Sequence, residues 1–205
     1  MAEAGKKGRD LENPSKRRAW AVFFLVLFVL FLASPVLAES KTVLVVAITI
    51  HPGSLTIVPN ARHITVPLVL LDGEAQDLRA TGAPTYTIVD ARGSGAGWNV
   101  TLSCSDFTDG RGHTLSAAHF RFTTGESLIM RVGGQLPDPF GGPRETTLTS
   151  APLHIPQKVL TASAGFGKGT YTYSPKASNF VLSIPPETAS GHYSATLTEA
   201  ICSGP

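Results

Sequence analysis

Seven consecutive residues, Trp98 to Cys104, constrain the fold more than any other stretch of this chain. Trp98, Val100, Leu102 and Cys104 alternate with Asn99, Thr101 and Ser103, and a period of two is that of a strand with one face in a core. The run then breaks into Asp109-Gly110 and Arg111-Gly112. Gly tolerates positive φ and an Asp carboxylate can bond its own backbone, so a turn follows. The same texture extends along the chain. Strands are predicted at 42–50, 55–58, 63–71, 86–89, 119–123, 127–132, 158–163, 170–173, 180–184 and 192–202, separated by Gly, Pro or Asp-Gly. Short strands at short spacing predict an all-β chain built as a sandwich or a barrel, and the fold expected here is an antiparallel β-sandwich of immunoglobulin-like or Greek-key type.

Three segments carry more specific expectations. The nearly continuous apolar run from Thr42 to Ile50 is predicted to be a central strand buried on both faces, stopped by Pro52-Gly53. Pro67 cannot donate to a ladder, which places the strand at 63–71 at an edge or a bulge. From Gly133 to Pro156 the crowding of Gly and Pro predicts a long surface loop, and loops of that length are candidates for contact surfaces.

The N-terminus has the layout of a secretory signal peptide over residues 1–38. Lys6, Lys7, Arg9, Lys16, Arg17 and Arg18 precede an apolar run from Ala19 to Ala33, and Val36 and Ala38 provide a small-residue cleavage pattern before Glu39. The alternative is an uncleaved anchor, the only membrane contact the sequence suggests; Pro35 and the cleavage pattern oppose it. Either way the basic flank sends the following residues outward. The leader holds six basic and three acidic residues of the chain's 17 and 15, leaving 11 against 12, a net of −1. That balance gives no electrostatic footprint for nucleic acid. Residues 39–205 are long enough for one domain with a real core.

No catalytic or metal-binding arrangement emerges, and no cofactor is implied. The six His residues lack metal-ligand spacing and no Gly-x-Ser-x-Gly elbow is present. The glycine-rich stretch from Gly165 to Thr170 lacks the spacing of a phosphate loop and reads as a hairpin turn. Asp106 and Asp109 flank a turn without the ligand spacing of a Ca²⁺ loop. A glycosidase using two scattered carboxylates would leave no sequence signature. Trp98 could present a ring to a glycan, but its parity with Val100 and Leu102 makes it a core residue. Tyr171 and Tyr173 share one face of a strand. Exposed, they would form a sugar platform; buried, they are ordinary strand aromatics.

Several motifs together resemble the WxL-domain proteins of Gram-positive-type cell surfaces. Thr87 to Gly93, Trp98-Asn99-Val100 and Asp106-Phe107-Thr108 correspond to the first signature. Gly165 to Tyr171, Ile184-Pro185-Pro186, and Gly191 to Thr198 with Tyr193 and Leu197 correspond in order to the closing block, which ends past Ile201 at Ser203-Gly204-Pro205. The resemblance covers about residues 62–205. Val100 stands where the first tripeptide has Leu, and Glu199-Ala200-Ile201 has Glu where the second has Trp. The resemblance implies a non-enzymatic, secreted, extracellular protein that attaches non-covalently to the cell wall, with peptidoglycan as the ligand. The sequence stops three residues past Cys202 without a sorting motif, which agrees with non-covalent retention. A structural component binding other exported proteins is the alternative, followed by a secreted glycan hydrolase.

Cys104 and Cys202 are the two cysteines of a chain predicted to be exported, and an even count there predicts a disulfide. Alternation opposes it. Cys104 shares the face of Trp98, whereas Cys202 falls opposite to Tyr193, Leu197 and Ile201, so a bridge requires an irregular strand end.

Overall fold

The computed structural model describes residues 14–32 and 45–204. The chain divides into two compact units, 1–48 and 49–205. In the first, helix α1 (Pro14–Leu32) carries the apolar run. Pro14 begins it, where a missing N–H costs nothing. Among the described residues, no helix is long and apolar enough to cross a membrane. Lys6, Lys7, Arg9 and the cleavage pattern at Val36 and Ala38 lie outside the described residues.

The second unit contains fourteen strands: β1 (Leu55–Pro59), β2 (Gln76–Arg79), β3 (Tyr86–Asp90), β4 (Trp98–Cys104), β5 (Phe107–Thr108), β6 (Thr114–Leu115), β7 (Phe120–Phe122), β8 (Leu128–Gly134), β9 (Arg144–Glu145), β10 (Ala151–Pro152), β11 (Gln157–Ala162), β12 (Gly169–Ser174), β13 (Phe180–Ile184) and β14 (Leu197–Ser203). They form three four-stranded sheets, ordered β1-β3-β12-β8, β10-β7-β13-β2 and β14-β4-β11-β9, with β5-β6 as a small hairpin. Every pairing is antiparallel. Of the sandwich and barrel that the strand spacing allows, the all-β sandwich is present.

Alternation along β4 decides its inner face. Trp98, Val100, Leu102 and Cys104 are buried while the residues between them are partly exposed. Across the core the Trp98 ring meets that of Tyr171 on β12 at 6.4 Å between centroids, so the first and third sheets face each other. The second sheet adds Phe120, Phe122 and Phe180, with Phe122 and Phe180 4.6 Å apart. These residues belong to one continuous hydrophobic core.

Four expectations are corrected. Val45 to Ile50 form no strand, and Val45, Val46, Ile48 and Ile50 are solvent-exposed instead of central; residues 42–44 lie outside the described part. An apolar run has the composition of a buried strand, but burial requires sheet faces on both sides, and this segment has none. The strand at 63–71 reduces to one bridge, Thr65 to Gly82, with Leu68 and Leu70 exposed beside Pro67. Pro67 supplies no N–H for a ladder. The outer position beside β13 is taken by the polar strand β2. The segment from Gly133 to Pro156 is not a free loop. It holds the end of β8, all of β9 and β10, and Leu153, which is fully buried.

The fourth correction is the disulfide. Cys104 pairs with Leu197 and Cys202 with Asn99, so the two cysteines sit five ladder positions apart, about 17 Å at ~3.4 Å per residue. A disulfide needs Cα atoms within about 7 Å. Direct partners across a ladder share a face, so Cys202 follows Asn99 outward while Cys104 follows Trp98 inward. Both cysteines are free, Cys104 buried and Cys202 exposed.

Candidate functional site

The two tripeptides singled out in the sequence lie side by side. Strands β4 and β14 are neighbours, with Val100 opposite Ile201, Leu102 opposite Glu199 and Trp98 opposite Ser203. Leu197, Glu199 and Ile201 are partly buried on the face that carries Trp98. The indole Nε1–H of Trp98 donates to the Gly167 carbonyl at 2.9 Å. Gly167 has φ +75°, and a Cβ there would lie 2.6 Å from Nε1, so only glycine lets the turn close over the ring.

Asp90 and Arg92, from the stretch before β4, fasten this assembly. Arg92 donates from Nε and Nη2 to the two Asp90 carboxylate oxygens at 2.8 and 2.9 Å, from Nη2 to the Gly97 carbonyl at 2.8 Å and from Nη1 to Ser203 Oγ at 2.6 Å. The end of β3 is thereby tied to the start of β4 and the end of β14. The bonds from Arg92 to its carboxylate lower the Asp90 pKa although burial works the other way. Asp106 Oδ1 accepts the Ala117 amide at 2.7 Å, and the Phe107 ring meets Phe120 edge-on. The Tyr193 hydroxyl donates to the Ala189 carbonyl at 3.0 Å. The signature residues therefore build the sandwich.

Two features on the surface differ from this interior. The first is a locked turn. Asp138 Oδ1 accepts the amides of Phe140 and Gly141 at 2.9 and 2.6 Å, and Asp138 and Gly142 exchange backbone hydrogen bonds. Arg144 Nε adds a bond to the Phe140 carbonyl at 3.1 Å. The turn holds Phe140 86% exposed, with Leu136 67% exposed four residues earlier. Behind it Gly141 packs against the Phe166 ring, with no room for a Cβ.

The second is a polar cleft of about 260 Å³ lined by His113, Ser116, His119, Glu187, Thr188 and Tyr193. Asp109, its side chain 1% exposed, accepts from the Arg111 and His113 amides at 2.8 and 3.1 Å and meets His113 Nδ1 at 2.7 Å. The His113 bond, then the Arg111 amide, hold the Asp109 carboxyl down to about 2. An ionised carboxylate only accepts, so Nδ1 carries the proton in this pair. Among the described residues no cluster of three His, Cys, Asp or Glu side chains could hold a metal.

The family model for the WxL domain, described as surface cell wall-binding, matches residues 44–205. The chain belongs to the WxL-domain family. Comparison with curated proteins and with solved structures found no significant match. WxL is a binding-domain family, so this WxL domain is a cell-wall-binding module of the cell surface.

The structure separates the candidate residues of the WxL domain into interior and surface. Trp98 and Val100 are buried, as their parity requires. Tyr171 and Tyr173 are also buried, which removes them as an exposed sugar platform. The Tyr171 hydroxyl donates to the Gln135 and Lys168 carbonyls at 2.7 and 3.1 Å, and that of Tyr173 to Glu145 Oε1 at 2.8 Å. Both rings lie on the face of β12 turned toward β4, and strand parity alone does not say which face that is. Glu199, at the Trp position of the second tripeptide, lies beside the buried Tyr86 hydroxyl. Burial first, and then the Glu199 charge, raise the Tyr86 pKa, yet no hydrogen bond of normal geometry joins the two. Sequence reasoning missed Phe140 and the Arg92 clamp. A Phe between two prolines and a Gly-Gly pair was the available signal for the first.

Proposed function

We propose that this WxL domain holds an exported protein on the cell wall non-covalently, with peptidoglycan as its ligand and the Phe140 turn as a contact. Residues 1–38 serve as a cleaved signal peptide and 39–205 form the secreted domain. The observation that carries the contact is the 86% exposure of Phe140 on a turn already locked by hydrogen bonds. A fixed turn loses little entropy on binding. An aromatic face offers the apolar area that the C–H side of a sugar ring packs against.

Deleting the whole of 133–156 is the wrong perturbation, since it removes β9, β10 and Leu153. Phe140→Ala changes the contact alone. Washed peptidoglycan sacculi should pull down the purified chain. Phe140→Ala should melt like the parent and bind about two- to tenfold more weakly, as expected for an aromatic contact of ~0.5–1.5 kcal/mol. Unchanged binding refutes the role of the turn, and no binding of the parent refutes peptidoglycan as ligand.

A second reading, a component of an exported-protein complex, draws support from Leu128, Met130 and Val132, exposed on the edge strand β8. It predicts wall retention only after partner proteins are added.

A further inference from the structure

The chain exposes two apolar stripes of the same period. Val46, Ile48 and Ile50 alternate along the segment before β1, and Ile48 is 82% exposed. Leu128, Met130 and Val132 alternate along β8, which pairs with β12 on one side and ends its sheet on the other. An unpaired edge with an apolar face is a template for another strand. The remaining edges are poorer templates. β2 carries Asp77 and Arg79, β1 ends at Pro59, β9 and β10 have two residues each, and β14 turns Thr198, Ala200 and Cys202 outward.

We propose that residues 45–50 form a donor strand that adds to the free edge of β8 in a second copy of this chain. Edge addition would satisfy backbone groups along β8, and side chains at paired positions share a face. Val46, Ile48 and Ile50 then lie beside Leu128 and Met130. The ladder between β8 and β12 shifts register at Val132, which leaves Leu128 to Arg131 as the regular stretch and suits a short donor.

Chain reach makes the pairing intermolecular. The Gly53 amide donates to the Ala91 carbonyl at 2.9 Å and the Ala91 amide to the Ser54 carbonyl at 3.0 Å, fixing residues 53–54 beside the end of β3. In the order β1-β3-β12-β8, a strand outside β8 lies four spacings from β1, about 19 Å at ~4.8 Å each. Ile50 is three residues from Gly53 and reaches at most about 11 Å. The segment cannot cross its own sheet. Donor and acceptor are different patches, so the contact is heterologous: two copies close it by exchanging strands, and more extend it into a chain.

The test uses the chain beginning at Glu39. Among the described residues no core side chain precedes Leu55, so this chain keeps the core intact. Sedimentation over a concentration series should show self-association. Ile48→Asp in the donor and Met130→Asp in the acceptor should each weaken it at least about tenfold. Circular dichroism and melting should stay at parent values, because both positions are exposed; if Met130→Asp melts lower, Leu128→Thr replaces it. The two variants mixed should recover a one-to-one dimer, since one retains the acceptor and the other the donor. A monomeric parent, a variant that associates like the parent, or a mixture that stays monomeric overturns the proposal. A monomer whose 45–50 segment resists protease indicates a strand folded back on β1 and overturns it equally.

Discussion

Replacing Trp98 by Ala tests whether the defining aromatic of the first tripeptide is structural. The ring is fully buried, packs on Tyr171 and donates to the Gly167 carbonyl. Removing a buried large aromatic costs about 3–5 kcal/mol. The orphaned carbonyl brings a further penalty of ~1–3 kcal/mol wherever water does not reach it. For a domain of this size each kcal/mol lowers Tm by roughly 2–4 °C, so the drop should lie at about 6–20 °C from loss of the ring alone and reach about 32 °C with the full carbonyl penalty. Trp98→Phe retains most of the bulk and should fall between parent and Ala. The chain has two Trp residues and Trp20 lies in α1, so unfolding is followed by far-UV circular dichroism in place of fluorescence. Sacculus binding per folded molecule should not change. A Trp98→Ala chain that melts like the parent but no longer binds wall material would refute the core assignment and make the ring a ligand contact.

Thiol reactivity distinguishes the two cysteines. A free-thiol count on the denatured, unreduced chain should give two, with Cys202 labelled at once in the native protein. Cys104 should be labelled only on unfolding, because burial, and then the charge of Asp106, push its thiol up to about 11. Acid should destabilise the domain in a defined window. Asp109 falls from 3.8 in the unfolded chain to about 2, a lowered pKa, so its contribution is complete above the unfolded value and is lost as pH falls toward the folded one. Denaturation midpoints should decline from about pH 4 to 2, and Asp109→Asn should flatten that decline. The two stacked tyrosines should respond differently to loss of the hydroxyl. Tyr173→Phe breaks the bond to Glu145 and should cost about 0.5–1.5 kcal/mol, whereas Tyr86→Phe removes a buried hydroxyl without a partner and should be neutral or stabilising in urea titrations.

Local pattern alone determined a good deal of this domain. The period of two from Trp98 to Cys104 set the strand and its buried face, because a pleated backbone sends successive side chains to opposite sides. The same parity placed Cys104 and Cys202 on different faces, and the regular β14 ladder kept them there; the count of cysteines was the misleading signal. Tertiary structure decided what depends on neighbours distant in the chain. Tyr171 and Tyr173 alternate like any strand aromatics, and only the arrival of β4 across the core made their face the buried one. Val45 to Ile50 have the composition of a central strand, but a strand is central only if others flank it, and no strand pairs with this segment among the described residues. The polar strand β2 exists through its pairing with β13, which no periodicity within Gln76–Arg79 announces. Phe140 stays in solvent because Asp138 and Gly142 close its turn. Hydrophobicity gives the free energy available on burial, and the packed fold decides which residues receive it.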